Sequence, residues 1–169
     1  MQTFLPYTSF RQSAASLDDV RLRKQILECE QIVNAIERGT GWKNHPVTKQ
    51  WTGFLDGLYS YARCCLAEYR KRCGTKFVNY DAFFGEHEDI ESELPWWLAD
   101  KHYHAGQRGH LYRKDPAYYA KFKQDENSPL LYPVNDLECL VERVDAGKFR
   151  KFPNGVKIYK SVIDAAKGY

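Results

Sequence analysis

The sequence predicts a mainly α fold: a compact helical domain with two long antiparallel helices, followed by a small C-terminal unit of a β-hairpin and a helix. The helices are predicted because apolar residues recur every three or four positions in residues 17–38 and again in residues 51–73. The hairpin is predicted because apolar and basic residues alternate on both sides of Pro153-Asn154-Gly155, which is typical of a tight turn.

The first long helix is predicted from about Leu17 to Arg38. Ser16 is the expected N-cap, Asp19 follows three residues later as in a capping box, and Gly39 is expected to end the helix. Five apolar residues form one stripe along it: Leu22, Ile26, Cys29, Val33 and Ile36. We expect this stripe to face the core of the domain.

The helical period resumes at Trp51 and continues to Tyr69, and Gly74 is expected to end this second helix. Because a short loop joins the two helices, they are expected to pack antiparallel. Residues 76–93, which are first aromatic and then acidic, are predicted to form a loop with at most a short helix. A mixed helical stretch is expected before residue 115, where Asp115-Pro116 is expected to open another short helix.

A domain boundary is predicted after Tyr132-Pro133. Residues 1–133 then form the helical domain, and residues 134–169 form a C-terminal extension. Within the extension, strands over Lys148–Phe152 and Val156–Tyr159 are predicted to pair, and a short helix is predicted over Val162–Ala166.

The composition excludes several classes of protein. Hydrophobic residues make up 43% of the chain and charged residues 28%, which argues against a disordered or collagen-like protein. No stretch approaches the roughly 18–20 apolar residues of a membrane helix, and the first residues lack the features of a secretory signal. We therefore expect a soluble, cytoplasmic and monomeric protein.

Cysteines and histidines give no sign of a metal site. The five cysteines are an odd number without Cys-x-x-Cys spacing, which favours free buried thiols over a disulfide framework or a zinc site. His102, His104 and His110 have no thiol or acidic partner at a spacing typical of metal ligands. Phosphate contact or helix capping is the expected role of these histidines, and the sequence predicts neither a metal nor a cofactor.

The charge is unevenly distributed although the net charge is only +3. Acidic residues crowd into residues 86–93, whereas basic residues crowd into residues 21–24, 63–76, 108–123 and 148–160. Local basic patches can attract nucleic acid even when the total charge is small. They can equally be the solvated faces of helices, and the composition alone leaves both interpretations open.

One flank of the first helix brings together Arg21, Gln25 and Glu28, with Lys24 just beyond. A carboxylate surrounded by cations stays ionised, so it could stabilise a positive intermediate or relay protons close to a polyanion. The alternative is an ordinary surface pair between Lys24 and Glu28, which would stabilise the helix by about 0.3–0.5 kcal/mol.

Three stretches carry a resemblance to a known family. They are the opening run Met1-Gln2-Thr3-Phe4-Leu5-Pro6-Tyr7, the run LDDVRLRKQILE from Leu17 to Glu28, and Gly41-Trp42-Lys43-Asn44-His45-Pro46. Together they resemble the pyrimidine-dimer DNA glycosylases, the family of the phage endonuclease V enzymes and their bacterial relatives. A basic and aromatic segment, residues 113–122, is similar to the C-terminal segment of that family. The resemblance covers about residues 1–133, with a gap in the acidic loop.

This resemblance implies an enzyme that excises one base of a cyclobutane pyrimidine dimer in double-stranded DNA and then cleaves the backbone by β-elimination. In the family, the α-amino group of the chain attacks C1′ to form an imine, and an essential glutamate on the first long helix assists. These roles fall on the amine of Met1, or of Gln2 if Met1 is removed, and on Glu28. An α-amine is suited to imine formation because its ordinary pKa of about 7.7–8.0 lies far below the value of about 10.4 for lysine.

The resemblance also implies a surface that binds DNA. The flank of the first helix supplies the expected contacts with phosphates and substrate: Arg21, Arg23, Lys24 and Gln25. Three aromatic residues are candidates for stacking on a displaced base or, alternatively, for the core: Trp42, Tyr118 and Tyr119. The remaining expected DNA contacts are Lys43, His45, Arg113 and Lys114.

Two other functions remain open at this stage. The same scaffold could be a non-catalytic module that recognises modified DNA, a nucleotide or a protein, because cyclisation of Gln2 after loss of Met1 would remove the nucleophile. It could also be a glycosylase for a hypermodified base of viral DNA. Binding to DNA with a steep salt dependence, but without turnover, would favour the non-catalytic module.

Overall fold

The computed structural model describes residues 1–39, 41–74, 79–85, 94–145, 148–152 and 158–159. Within them the fold is mainly α, as predicted, with a small antiparallel sheet towards the C-terminus. The α-helices are α1 (Phe10–Ser16), α2 (Asp19–Arg38), α3 (Pro46–Trp51), α4 (Leu55–Cys73), α5 (Asn79–Phe84) and α6 (Lys101–Lys114). Short 3₁₀ segments lie at Trp96–Ala99, Ala120–Asp125 and Asn135–Leu137.

Helices α2 and α4 pack antiparallel, which confirms the predicted arrangement. Tyr59, near the start of α4, donates a hydrogen bond of 3.2 Å to Glu37, near the end of α2. At the opposite end of the pair, Arg72 donates to Asp19 at 3.1 Å. The predicted apolar stripe of α2 lies in this interface, where burial of each large apolar side chain stabilises the fold by about 1.5–3 kcal/mol.

The start of α2 differs from the prediction. Ser16 is the last residue of the separate helix α1, and Asp18 is the N-cap of α2. The side chain of Asp18 accepts a hydrogen bond of 2.9 Å from the backbone N–H of Arg21. A carboxylate is well suited to this position because it also lies at the positive end of the helix dipole.

The predicted second helix corresponds to α4, which begins at Leu55 and not at Trp51; Trp51 is the last residue of a separate short helix, α3. Helix α3 ends at Trp51 and α4 begins at Leu55, because Gly53 between them adopts a φ of 86°, in the left-handed region that favours glycine. The helical spacing of apolar residues continues across the break, so the pattern alone predicts one helix. His45 caps the start of α3, with Nδ1 accepting from the backbone N–H of Val47 at 3.2 Å.

The segment after α6 is a turn followed by a 3₁₀ segment, where the sequence predicts a short helix. Asp115 still acts as a local cap, since its Oδ1 accepts a hydrogen bond of 3.0 Å from the backbone N–H of Tyr118. The turn brings Tyr118 and Tyr119 back towards the start of α2. Helix α5 is the short helix that was expected within residues 76–93, of which residues 86–93 lie outside the described ranges.

The sheet contains β1 (Leu131–Val134), β2 (Cys139–Asp145), β3 (Lys148–Phe152) and β4 (Ile158–Tyr159), in that spatial order and antiparallel throughout. The pairing of β3 with β4 confirms the predicted hairpin, whose turn lies outside the described residues, as does the predicted helix over residues 162–166. Strands β1 and β2 were not predicted. Strand β1 extends across the predicted boundary after residue 133. The division of the chain into two domains stays a prediction.

The N-terminal segment, residues 1–9, lies largely inside the molecule without regular secondary structure. Phe4 and Leu5 are 4% and 0% exposed and belong to the core. Among the described residues, no helix has both the length and the apolar composition needed to span a membrane.

Candidate active site

The buried amide of Gln25 holds the N-terminal segment against α2. Its Oε1 accepts a hydrogen bond of 2.7 Å from the backbone N–H of Phe4, and its Nε2 donates one of 2.9 Å to the carbonyl of Gln2. The hydroxyl of Tyr61, on α4, lies 2.9 Å from the same Oε1 and 2.7 Å from the carbonyl of Phe4. These bonds fix the direction of the chain over residues 2–4, because a buried amide is stable only when its partners are in place.

A second buried network holds the other side of the segment. The hydroxyl of Thr3 accepts hydrogen bonds from Nε2 of Gln50 at 3.0 Å and from Nε1 of Trp51 at 3.2 Å, both on α3. The side chain of Gln2 donates to Oε1 of Gln107, on α6, at 3.2 Å. Four helices, α2, α3, α4 and α6, therefore determine where the first residues of the chain lie.

The chain end meets the carboxylate of Glu28, which is 5% exposed. The amine of Met1 lies 3.7 Å from Oε1 of Glu28, and the backbone N–H of Gln2 donates to Oε2 at 3.0 Å. Lys24, one turn earlier on α2, places its ammonium 3.6 Å from Oε1. The predicted surface pair of Lys24 and Glu28 thus exists, but its carboxylate also binds the first two residues of the chain.

Met1, Gln2, Lys24 and Glu28 line a cleft of about 1110 Å³. Its walls come from the N-terminal segment, the first half of α2, the end of α6 and the sheet. Nine predicted site residues line it: Met1, Gln2, Arg21, Lys24, Glu28, His45, Arg113, Lys114 and Tyr118. His110, for which phosphate contact or helix capping is predicted, also lines it, as do residues that were not predicted, among them Asp18, Val20, Tyr132, Glu142 and Arg143.

Arg21 is held in the cleft wall by Asp18 and Tyr119. Its guanidinium donates to Oδ2 of Asp18 at 2.5 Å and lies over the ring of Tyr119, 5.4 Å from the ring centre. Burial raises the pKa of Asp18, but the hydrogen bonds from Tyr119 and Arg21 outweigh it and leave that pKa below its ordinary value. The fixed carboxylate therefore positions the arginine that the sequence predicts to contact the substrate.

Two predicted DNA contacts are corrected by their burial. Gln25 is fully buried and holds the N-terminal segment, so its amide does not face a ligand. Tyr119 is also fully buried, so its ring has no free face for a base. Its hydroxyl donates to Oδ2 of Asp18 at 2.5 Å and accepts from the backbone N–H of the same residue at 3.0 Å. Both residues therefore have a positioning role: Gln25 holds the N-terminal segment, and Tyr119 holds the carboxylate of Asp18.

Three other predicted contacts lie outside the lining of the cleft. Arg23, Trp42 and Lys43 are exposed, and Trp42 is the largest exposed aromatic side chain among the described residues, at 62%. The ring of Trp42 packs edge-on against His45, which does line the cleft. Trp42 therefore remains a candidate for stacking at the edge of the site, as does Tyr118, which is 50% exposed.

Two histidines of the cleft are neutral at physiological pH. Burial, the Met1 amine and Arg143 together lower the pKa of His45 to about 4. Burial and the charges of Lys114, Arg113 and Arg21 lower the pKa of His110 to about 4 as well. Because cations act on both imidazoles, the electrostatic potential near each of them is positive.

The described residues contain no group of three or more side chains that could hold a metal ion. Both ring nitrogens of His104 lie 2.7 Å from backbone carbonyls, those of Leu5 and Leu98, which leaves neither available as a ligand. The five cysteines, all of them among the described residues, are not joined in disulfides. Burial raises the pKa of Cys29 and Cys65, so these two thiols are not reactive thiolates.

Sequence signals explain only part of this site. Helical spacing places Arg21, Lys24 and Glu28 together, and the apolar run Phe4-Leu5 could have indicated a buried chain start. No signal in the sequence points to Arg143, which reaches the cleft only because the sheet folds back beside it.

The cleft of this mainly α scaffold thus brings together the chain end, a buried carboxylate and several cations. The family model of the pyrimidine dimer DNA glycosylases matches residues 1–78. Over these residues, which contain the N-terminal segment and α1 to α4, the chain is similar to that family, and the predicted resemblance is confirmed. The family acts on DNA as a glycosylase.

The match ends before α5, so the similarity of residues 113–122 to the family stays a prediction. No curated protein and no solved structure matches the chain.

Proposed function

We propose that the protein excises a base at pyrimidine dimers, or at another damaged or modified base, in duplex DNA and then cleaves the abasic site by β-elimination. The observation that carries this proposal is the contact of the chain end with Glu28. Its carboxylate lies 3.7 Å from the Met1 amine and 3.0 Å from the Gln2 nitrogen, inside a cleft lined by cations. Either residue can therefore present an α-amine to a substrate beside the same carboxylate.

The proposed reaction starts with attack of the unprotonated α-amine on C1′ of the damaged nucleotide. A bond forms between nitrogen and C1′, the glycosylic bond breaks, and the base leaves with the bonding electrons and takes up a proton. The nitrogen then loses a proton, the bond between C1′ and O4′ opens as O4′ is protonated, and an imine is formed. In this proposal Glu28 accepts the proton of the amine and delivers one to O4′.

The second half of the proposed reaction removes a proton from C2′. The electrons of that bond expel the 3′ phosphate, which is the β-elimination, and water then hydrolyses the imine and releases the enzyme. The carboxylate of Glu28 also stabilises the positive charge of the imine, because a buried anion acts on charge more strongly than one in water.

The cleft supports a displaced nucleotide as substrate. Its volume of about 1110 Å³ exceeds the roughly 300–1000 Å³ of typical small-molecule sites. Removing a nucleotide from the base stack costs a few kcal/mol, and this cost is lowest at a damaged step. Arg21, Lys24 and Lys114 are the proposed contacts with the flanking phosphates.

Borohydride trapping tests the proposal. With duplex DNA that contains a pyrimidine dimer or an abasic site, we expect a covalent adduct with wild-type protein. Glu28→Gln should abolish turnover and retain DNA binding, since the substitution keeps the size of the side chain and removes its charge. Glu37→Gln is the matched control, because Glu37 lies at the far end of the same helix and outside the cleft. Turnover by Glu28→Gln at the wild-type rate would refute the assigned role.

The identity of the amine is a separate test. Mass spectrometry of the purified protein identifies the first residue and detects pyroglutamate at Gln2. Selective acetylation of the α-amine should abolish trapping. If trapping survives, the nucleophile is a lysine, for which Lys24 and Lys43 are the candidates. Salt-dependent DNA binding without any adduct would instead favour the non-catalytic binding module.

A further inference from the structure

The sheet forms one wall of the cleft although it lies outside the family match. Strand β1 contributes Tyr132 to this wall, and strand β2 contributes Glu142 and Arg143. The charge of Arg143 acts on both Tyr132 and His45, and all three side chains line the cleft.

The sheet is firmly attached to the helical part of the site. The side-chain nitrogen of Asn135, which directly follows β1, faces the carbonyls of Lys49, Gln50 and Thr52 at 3.1, 3.2 and 3.0 Å. These carbonyls lie at the end of α3, and the start of α3 is capped by His45, which lines the cleft. The position of β2 relative to Glu28 is therefore set by these hydrogen bonds and by the pairing of β2 with the buried strand β1.

Most charged side chains of the cleft have a partner. Arg21 binds Asp18 at 2.5 Å and Lys24 lies 3.6 Å from Glu28. On the sheet, the carboxylate of Glu142 binds Arg150 at 2.8 Å and is thereby removed as a partner for its neighbour. The side chain of Arg113 donates to the backbone carbonyl of Glu126.

Arg143 and Lys114 differ from these paired side chains of the cleft. Within the part of the chain that the structure describes, neither Arg143 nor Lys114 has a carboxylate partner. They lie on different walls, Arg143 on β2 and Lys114 at the end of α6. Unpaired cations on two walls of one cleft favour an extended anion over a single small one, because an extended anion can reach both.

We propose that Arg143 binds a backbone phosphate of the DNA strand whose nucleotide enters the cleft, so that the sheet is part of the DNA interface. That the ligand is DNA rests on the function proposed above. The guanidinium fork suits a phosphate because it can donate two parallel hydrogen bonds. The contact places a phosphate at the sheet wall of the cleft, and Lys114 binds the same backbone on another wall.

The salt dependence of DNA binding tests this contact. Each phosphate that a protein neutralises contributes about −0.9 to the slope of log K against log salt for duplex DNA. Arg143→Gln should reduce the steepness of the slope by about 0.9, which is a roughly 3.5-fold smaller loss of affinity over a fourfold rise in salt. Arg143→Lys, which keeps the charge, should retain the wild-type slope.

Lys151→Gln is the matched control, since it removes one positive charge from the same sheet at an exposed position outside the cleft. It should leave the slope unchanged. A wild-type slope in Arg143→Gln, or equal changes in Arg143→Gln and Lys151→Gln, would overturn the proposal. Thermal melting of each variant verifies that the variants are folded at the assay temperature.

Failure of this contact and failure of the proposed reaction are distinguishable. If wild-type protein binds duplex DNA but gives no borohydride adduct, the reaction fails while the slope still decides the role of Arg143. If wild-type protein forms the adduct and Arg143→Gln keeps the wild-type slope, only the contact fails. If wild-type protein does not bind duplex DNA at all, both proposals are wrong.

Discussion

The backbone nitrogen of Gln2 donates a hydrogen bond of 3.0 Å to Oε2 of Glu28, while the amine of Met1 lies 3.7 Å from the other oxygen of the same carboxylate. The proposed acid–base residue thus holds the first two residues of the chain at once. Loss of Met1 would leave an α-amine on Gln2, still beside Glu28. The geometry is therefore compatible with either residue as the start of the mature chain, provided that Gln2 does not cyclise.

Gln25 should matter for stability and for the proposed reaction although it does not face the cleft. Gln25→Leu leaves the N–H of Phe4 and the carbonyl of Gln2 without their partner, at a cost of about 1–3 kcal/mol for each buried group. Urea unfolding measures this loss. We also expect slower borohydride trapping under conditions where the variant is fully folded, because the chain end is no longer held beside Glu28.

The control for this variant is Gln31→Leu, an exposed position on the same helix, which should change stability by no more than about 0.5 kcal/mol. If Gln25→Leu is trapped at the wild-type rate when folded, Gln25 has only a structural role.

Tyr119→Phe should destabilise the protein more than Tyr118→Phe. The hydroxyl of Tyr119 is buried and donates to the carboxylate of Asp18 at 2.5 Å, and such a bond to a charged group contributes about 1.5–3 kcal/mol. The hydroxyl of Tyr118 donates to the carbonyl of Leu17 at 3.3 Å from a half-exposed ring. Chemical denaturation compares the two variants directly. Equal losses would contradict the supporting role assigned to Tyr119.

Arg143→Gln should raise the pKa of His45 from its value of about 4. Burial is the largest cause of the low pKa of His45, and the positive charges of the Met1 amine and of Arg143 lower it further. Removal of one of these charges therefore makes protonation of the imidazole easier. An NMR titration of the histidine ring protons measures the change. His110 is an internal control, because the cations that lower its pKa are Lys114, Arg113 and Arg21. A shift of both histidines would point to a general rearrangement of the cleft.

The free energy of unfolding should fall as the pH is lowered from about 6.5 towards 4. In the folded protein His45 and His110 have pKa values of about 4, whereas histidines in an unfolded chain titrate near 6.5. Their contribution is fully present above about pH 6.5. It is lost as the pH falls towards the folded values, because the unfolded state then binds more protons.

Urea unfolding at several pH values measures this decline. His110→Gln should reduce it, and His102→Gln, at an exposed position, should not. A decline of the same size in wild type and His110→Gln would show that other groups cause it.

Much of the helical scaffold could be predicted from the sequence. The apolar stripe of α2 and its position against α4 follow from local spacing, and so does the common flank of Arg21, Lys24 and Glu28. The break between α3 and α4 could not be predicted from that spacing, because a single left-handed glycine, Gly53, interrupts the backbone without interrupting the apolar pattern.

The sequence by itself determined the helical faces, the hairpin of β3 and β4, and the family resemblance of the first part of the chain. These features depend on residues that are neighbours along the chain or lie one helical turn apart. Only the tertiary structure decided that Gln25 and Tyr119 turn inwards, that the chain end reaches Glu28, and that Arg143 joins the cleft. Each of these depends on packing between segments that are distant in the chain, and residue spacing carries no information about such contacts.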